Sequence, residues 1–349
     1  MAHNLDASPV ESAKRFLCRA AVSCVAVLSP TIAVGEPVQL KLSYIGSEQA
    51  QAYQAGIKPF VEAVNAEGKG LVNIVVYADG ALGKSVPDQP AMLQKEIADI
   101  AWVIPGQTPY RFPDNELFEF PGLVQDFREG TLAYTHLVAA DRLRGYQPFF
   151  VIGTYVTSPA FIHSSKPVPS IAALRGQKVR VNNATEAAAL ERLGMIPTVM
   201  PVSQVAAAIE RGTVDSAVIA LTGLHDYGIG RFATYHYYLV VGVAPVALLM
   251  NRKKFESLPD AAKDLIRKYS GEWTAARWIE ALSAIDQRNT AALGSDPRHV
   301  LVIPSPADRD VAERSFRTLI EDWAATGTRN RDLLERLEAE LSTIRSGAR

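Results

Sequence analysis

Arg180 offers the clearest chemistry in the chain. It stands in "LRGQKVRVNN" (residues 174–183), between Val179 and Val181. Side chains alternate faces along a strand, so the two valines point one way and the guanidinium the other. The strand ends in Asn182 and Asn183 and runs straight into "ATEAAALERLG", a helical composition. In an open α/β sheet, ligands bind beyond the carboxyl ends of strands, near helix N-termini. A guanidinium there grips a carboxylate with two parallel hydrogen bonds. An exposed or ion-paired arginine is the alternative that the residues alone leave open.

Other chemistry is sparse. There is no G-x-S-x-G, no P-loop, no H-E-x-x-H and no G-x-G-x-x-G. The six histidines (His3, His136, His163, His225, His236, His299) include no i,i+3 or i,i+4 pair of the kind that holds a metal on a helix. Asp260 with Asp264, and Glu313 with Arg317, read as solvated helix faces. Trp273 and Trp278 read first as packing aromatics and second as site residues. No catalytic group, metal or cofactor is expected.

The elements that must position Arg180 follow from periodicity. "VQLKLSYIG" (residues 38–46) alternates like a strand, residues 53–64 have helical spacing, and "LVNIVVYADG" (71–80) is a second strand stopped by Asp-Gly. A helix "QPAMLQKEIA" and a short buried strand "DIAWVIP" (99–105) complete a β-α-β-α-β order, which predicts a largely parallel sheet. "QPFFVIGTYVTS" reads as a strand crossing between domains, and "AFIHSSKPVPSIAALRGQKVRVNN" opens a second βα unit. There the helix "VSQVAAAIERGTV" takes Ser203 as its N-cap. Residues 259–293 contain a single glycine before the terminal turn, Gly271. As one helix of about 34 residues they would span about 50 Å, enough to bridge two domains.

Composition sets the class. With 36 basic and 37 acidic residues, net charge −1 and no long basic run, the chain has no footprint for nucleic acid. Its 349 residues, 48% hydrophobic, suffice for two domains with real cores. The N-terminus reads as a secretory signal: Lys14, Arg15 and Arg19, then the apolar "AAVSCVAVL" (20–28), then small residues with cleavage near Ala33 or Gly35. The apolar run is too short to span a membrane. Loss of residues 1–33 removes three basic and two acidic residues, moving the net charge from −1 to −2. Cys18 and Cys24 leave with the signal, so the exported protein would have neither thiol nor disulfide.

The stretch "SKPVPSIAALRGQKVRVNNATEAAALERLGMIPTVMPVSQVAAAIERGTVDSA" (165–217) resembles the signature region of DctP-type solute receptors, the binding proteins of tripartite ATP-independent periplasmic (TRAP) transporters. "VNIVVYADGALG", "PAMLQKEIADIAW", "RFPDNELFEFPGL" and "KKFESLPDAAKDLI" match in order elsewhere, so the resemblance covers nearly all of the chain after the signal. It implies an α/β, two-domain, periplasmic-binding-protein-like clam-shell with a long helix bridging both domains. The domains are expected as 1–35 signal peptide, 36–157 plus about 245–285, and 158–244 plus about 286–349. It also implies that Arg180 pairs with the ligand carboxylate.

The chain departs from sialic-acid-binding members of that family. Ala160 stands where they carry a second arginine, and Ile219 where they carry an asparagine. Val202 replaces a frequent aromatic and Gln89 an acidic position. Trp102 and Tyr110 add aromatic surface, and Asn183 joins Arg180 at the strand end. Unpaired buried polar groups are costly, so this set disfavours a sugar acid. It points to a small apolar or aromatic monocarboxylate; the single cation argues against a dicarboxylate, with Lys166 or Arg111 as candidates for a second charge. The expected partners are that carboxylate and the small and large membrane subunits of a TRAP transporter. The location is periplasmic and the state monomeric, with a dimer through the C-terminal helices as the variant. A receptor for a signalling partner, or an enzyme on the same scaffold, are the rival readings.

Overall fold

The computed structural model describes residues 36–347. The expected signal, with Cys18 and Cys24, lies outside the described residues. The first lobe opens with β1 (Val38–Ser43), α1 (Lys58–Glu67), β2 (Val72–Tyr77), α2 (Gln89–Gln94), β3 (Ile100–Val103), α3 (Phe127–Ala139) and β4 (Phe149–Val156). The second lobe holds β5 (Phe161–Ser164), β6 (Lys178–Val181), α4 (Ala184–Glu191), β7 (Ile196–Val199), α5 (Val205–Glu210), β8 (Ser216–Ile219), α6 (Leu221–Asp226) and β9 (Tyr235–Tyr237). The chain then runs through β10 (Pro245–Asn251), α7 (Arg252–Glu256), α8 (Asp260–Lys268), α9 (Glu272–Ser295), β11 (Val300–Val302), α10 (Pro306–Ala325) and α11 (Thr328–Arg345).

Two sheets result, in the orders β2-β1-β3-β10-β4 and β11-β9-β5-β8-β6-β7. Each is parallel apart from one returning strand. β10 lies antiparallel between β3 and β4, and β5 antiparallel between β8 and β9. These are the strands that follow the two crossings between lobes. The crossing segments pair with each other: Thr157 N–H donates to Ala244 O, Ala160 N–H to Gly242 O, and Val241 N–H to Ala160 O, each at 2.9 Å. The lobes therefore share a short two-stranded hinge.

The expected single helix over 259–293 is two helices. The break is at Gly271, whose backbone sits at φ +63° and ψ −123°, a region open mainly to glycine. Its N–H donates to Ile152 O at 2.8 Å, and Thr274 Oγ1 donates back to Gly271 O at 2.7 Å. The remaining 24-residue α9 spans about 36 Å and does bridge the lobes. Trp278, Leu282 and Ile285 enter the first lobe's core, while Leu293 packs on the second lobe's small cluster.

Two further expectations change. Ser203 caps nothing: a 3-10 turn covers Val202–Gln204 and α5 begins only at Val205, without a side-chain cap. The C-terminal segment does not stay in the second lobe. α10 does, through Ala312, Phe316 and Leu319, but Leu333, Leu337, Leu341 and Ile344 of α11 join the first lobe's second core with Tyr134 and Leu137. Ion pairs hold it there: Arg345 grips Glu129 at 2.6 Å, and buried Asp114 receives both Arg144 and Arg329. Burial alone would push the Asp114 carboxyl up, but the hydrogen bonds from Arg329 and Arg144 outweigh it and hold it down at about 2.

Candidate functional site

Both sheets direct residues into one cavity of about 90 Å³ between the lobes. Trp102 comes from β3, Tyr155 from β4, Arg180 from β6 and Ile219 from β8. Ala160 and Ala244 come from the hinge, and Trp278 from α9. The strand ends meet here as expected for an open α/β sheet.

Arg180 is only 2% exposed. Its Nε donates to Met200 O at 2.9 Å, one terminal nitrogen to Val218 O at 3.1 Å, and the other to Asn182 Oδ1 at 3.5 Å. A guanidinium has five N–H donors, so two remain for a bound group. Burial lowers the Arg180 pKa to about 10, and the nearby Glu186 carboxylate opposes that fall. Glu186, on the first turn of α4, accepts the Asn182 N–H at 2.7 Å. Burial raises its pKa to about 7, while Arg180 and that N–H pull it down. Glu119, wholly buried nearby, is pushed well above the carboxylate range by burial first and then by Glu186 and Glu116. Its Oε1 and the Asn182 Nδ2 are buried without a protein partner.

Of the sequence-based candidates, Arg180, Trp102, Ala160, Val202 and Ile219 all line this cavity. Three do not. Gln89 is sealed inside the first lobe, accepting from Ser43 Oγ at 2.8 Å and donating to Gly83 O and Ser85 O at 3.1 Å. It braces a loop where a ligand contact was expected. Tyr110 is 80% exposed on a loop. Asn183 turns back to cap α4, its Oδ1 accepting the Glu186 N–H at 2.8 Å, and its neighbour Asn182 faces the cavity instead. Neither alternative cation reaches the site: Lys166 pairs with Asp215 at 2.7 Å, and Arg111 donates to Gln94 at an exposed position.

Sequence reasoning missed Asn182, Glu186, Tyr155, Asp226 and Tyr227, all lining residues. It undervalued Trp278, which stacks on Tyr155 with ring centroids 3.8 Å apart. Tyr155 OH in turn accepts the Trp102 indole N–H at 3.2 Å. The result is an aromatic wall facing one cation. Sequence spacing also hid a histidine chain. His163 Nδ1 meets His236 Nδ1 at 2.7 Å, His236 Nε2 meets His299 Nδ1 at 2.7 Å, and His163 Nε2 meets the Ile219 carbonyl at 3.1 Å. Burial lowers His163 to about 4 and His236 to about 3, so both are neutral at pH 7.

A mostly apolar cleft between two hinged α/β lobes, with one buried cation, defines a solute-binding clam-shell. The chain belongs to the DctP family, bacterial extracellular solute-binding protein family 7, whose model matches residues 42–326. These are the solute receptors of TRAP transporters. Similar solved structures carry the same fold. A marine metagenome TRAP solute-binding protein specific for aromatic acid ligands, in complex with 3-hydroxybenzoate, is 24% identical. That alignment covers 88% of this chain and 99% of that one, with TM-score 0.81. A TRAP solute-binding protein of Rhodoferax ferrireducens with copurified benzoate is 23% identical over 89% and 100%, TM-score 0.82. One from Bordetella bronchiseptica with bound mandelate is 18% identical over 88% and 100%, TM-score 0.78. A curated solute-binding protein of Roseobacter denitrificans is 25% identical over 56% of this chain, a stretch that spans only 61% of that relative.

Proposed function

We propose that this protein captures a small aromatic or apolar monocarboxylate in the periplasm and delivers it to the membrane subunits of a TRAP transporter, without chemical conversion. The observation that carries this reading is Arg180. It is buried, holds three protein acceptors, and keeps two N–H donors for a carboxylate in a cavity walled by Trp102, Tyr155 and Trp278. A ligand carboxylate there makes two charge-assisted bonds, and lobe closure strengthens them by excluding water. Hinge closure then signals the loaded state. The wall offers few hydrogen bonds for a polyhydroxylated sugar acid, whose groups would be stranded. Aromatic acids bound by the metagenomic, Rhodoferax and Bordetella proteins agree with this reading, whereas a Sulfitobacter relative binds galacturonate.

The test is a thermal-shift and calorimetric panel of benzoate, 3-hydroxybenzoate, mandelate, succinate and galacturonate. The aromatic monocarboxylates should raise the unfolding midpoint. Stabilisation by galacturonate or succinate alone would overturn the ligand class.

A further inference from the structure

The cavity holds a charged residue that the carboxylate reading does not use. Asp226, at the end of α6 in the second lobe, lines it together with Arg180, and its side chain is 6% exposed. Its two oxygens accept backbone N–H groups from the other lobe: Gln51 N–H at 3.0 Å on Oδ1 and Ala52 N–H at 3.2 Å on Oδ2. His225 Nδ1 also lies 3.2 Å from Oδ1. Gln51 and Ala52 open the first helical turn of the first lobe, where unsatisfied N–H groups attract an anion. Beside this contact, Gln51 and Asn289 exchange side-chain hydrogen bonds at 3.0 and 2.8 Å. Asn289 sits on the end of α9 that packs by Leu221 and Leu224 of the second lobe. Both contacts therefore join the lobes, and Ala52 itself lines the cavity.

We infer that Asp226 is the specificity residue that admits monocarboxylates and rejects ligands with a second negative charge, because the same carboxylate must close the cleft over the cargo. This rests on the carboxylate reading of Arg180. The cavity-lining ionisable groups other than tyrosine are Arg180, Glu186 and Asp226, one cation against two carboxyls. One ligand carboxylate meets the cation. A second would face Asp226 at the moment its oxygens dock on Gln51 and Ala52, and like charges in a closing cleft disfavour the wrong partner. Neutral or hydrogen-bond-donating substituents carry no such penalty.

The experiment measures dissociation constants for benzoate, isophthalate and terephthalate in the wild-type protein and in Asp226→Asn, Asp226→Glu and Asn289→Ala. Asp226→Asn should weaken benzoate by about tenfold, through loss of the interlobe contact, while leaving the two dicarboxylates unchanged or tighter. The preference for benzoate then narrows by at least that factor. Asp226→Glu should retain the preference. Asn289→Ala, which loosens closure without changing charge, should weaken all three alike. Equal weakening of all three ligands by Asp226→Asn would reduce Asp226 to a structural contact and overturn the inference. Should Asp226→Asn fail to fold, loss of the preference in Asp226→Glu overturns it equally. A wild-type protein that binds either dicarboxylate as tightly as benzoate overturns the inference outright, whereas benzoate affinity unchanged in Arg180→Ala refutes the reading of Arg180 itself, a separate result.

Discussion

Replacement of Arg180 separates the proposed binding role of its guanidinium from its role in the fold. Three of its N–H groups hold Met200 O, Val218 O and Asn182 Oδ1, and two have no acceptor among the described residues. Each charge-assisted bond contributes about 1.5–3 kcal/mol. Loss of two gives about 3–6 kcal/mol, or about two to four orders of magnitude in dissociation constant. Arg180→Ala should lose that much affinity for benzoate. It also removes the donors to a part-buried and a buried carbonyl and takes away the cation near Glu186, so the fold should lose about 1–3 kcal/mol as well. Arg180→Lys is the sharper probe. The ammonium keeps the charge but cannot span the carbonyls and a bidentate ligand at once. We expect it to lose about one ligand bond, about ten- to hundredfold in affinity, with a smaller drop in unfolding temperature. Calorimetric titration with benzoate, alongside thermal unfolding of each variant, reads the two effects separately. A folded Arg180→Lys that binds benzoate within threefold of wild type would refute bidentate anchoring.

Two other outcomes follow from the same geometry. A ligand carboxylate that engages Arg180 leaves Glu186 a weaker claim on that cation, so Glu186, already raised to about 7, should take up part of a proton on binding. Affinity should then fall as pH rises through about 7, and titrations in buffers of different ionisation enthalpy should reveal proton uptake that Glu186→Gln abolishes; equal apparent enthalpies would remove the coupling. For stability the sign is the same. A raised folded pKa contributes stability present below the unfolded value near 4.5 and lost as pH rises through about 7, while the lowered values of His163 and His236 act oppositely below about 6.5. Gly56 lies in a π-helical turn, Tyr53–Ile57, under the Trp278 ring, and an added Cβ would collide with that ring. Gly56→Ala should displace Trp278 from its stack on Tyr155, lower stability by about 1–3 kcal/mol and weaken aromatic acids; an unchanged melting temperature and benzoate affinity would show that the ring has room to move.

What the sequence disclosed, and what it hid, divides along a physical line. Periodicity located the strands and the bridging helix because burial imposes it element by element. It overran the break at Gly271 because a single glycine within helical spacing signals nothing until its φ is known. Arg180 was visible because a charge inside a valine strand breaks a local rule. Asp226, Glu186 and Asn182 break none: each is an ordinary polar residue at a helix end or strand end. Their meaning comes from partners far along the chain, Gln51 and Ala52 for Asp226 and Gln107 for Asn182. Gln89 and Asn183 failed as site residues for the converse reason. Each had a local backbone to satisfy, a loop in one case and a helix N-terminus in the other, and a buried amide that meets its hydrogen bonds locally is not left to meet a ligand. The residues that remain for the ligand are those whose donors the fold leaves unmatched. In this cavity those include two N–H groups of Arg180 and the Nδ2 of Asn182, and both suit an anion. Selectivity among anions then falls to the walls that close on them.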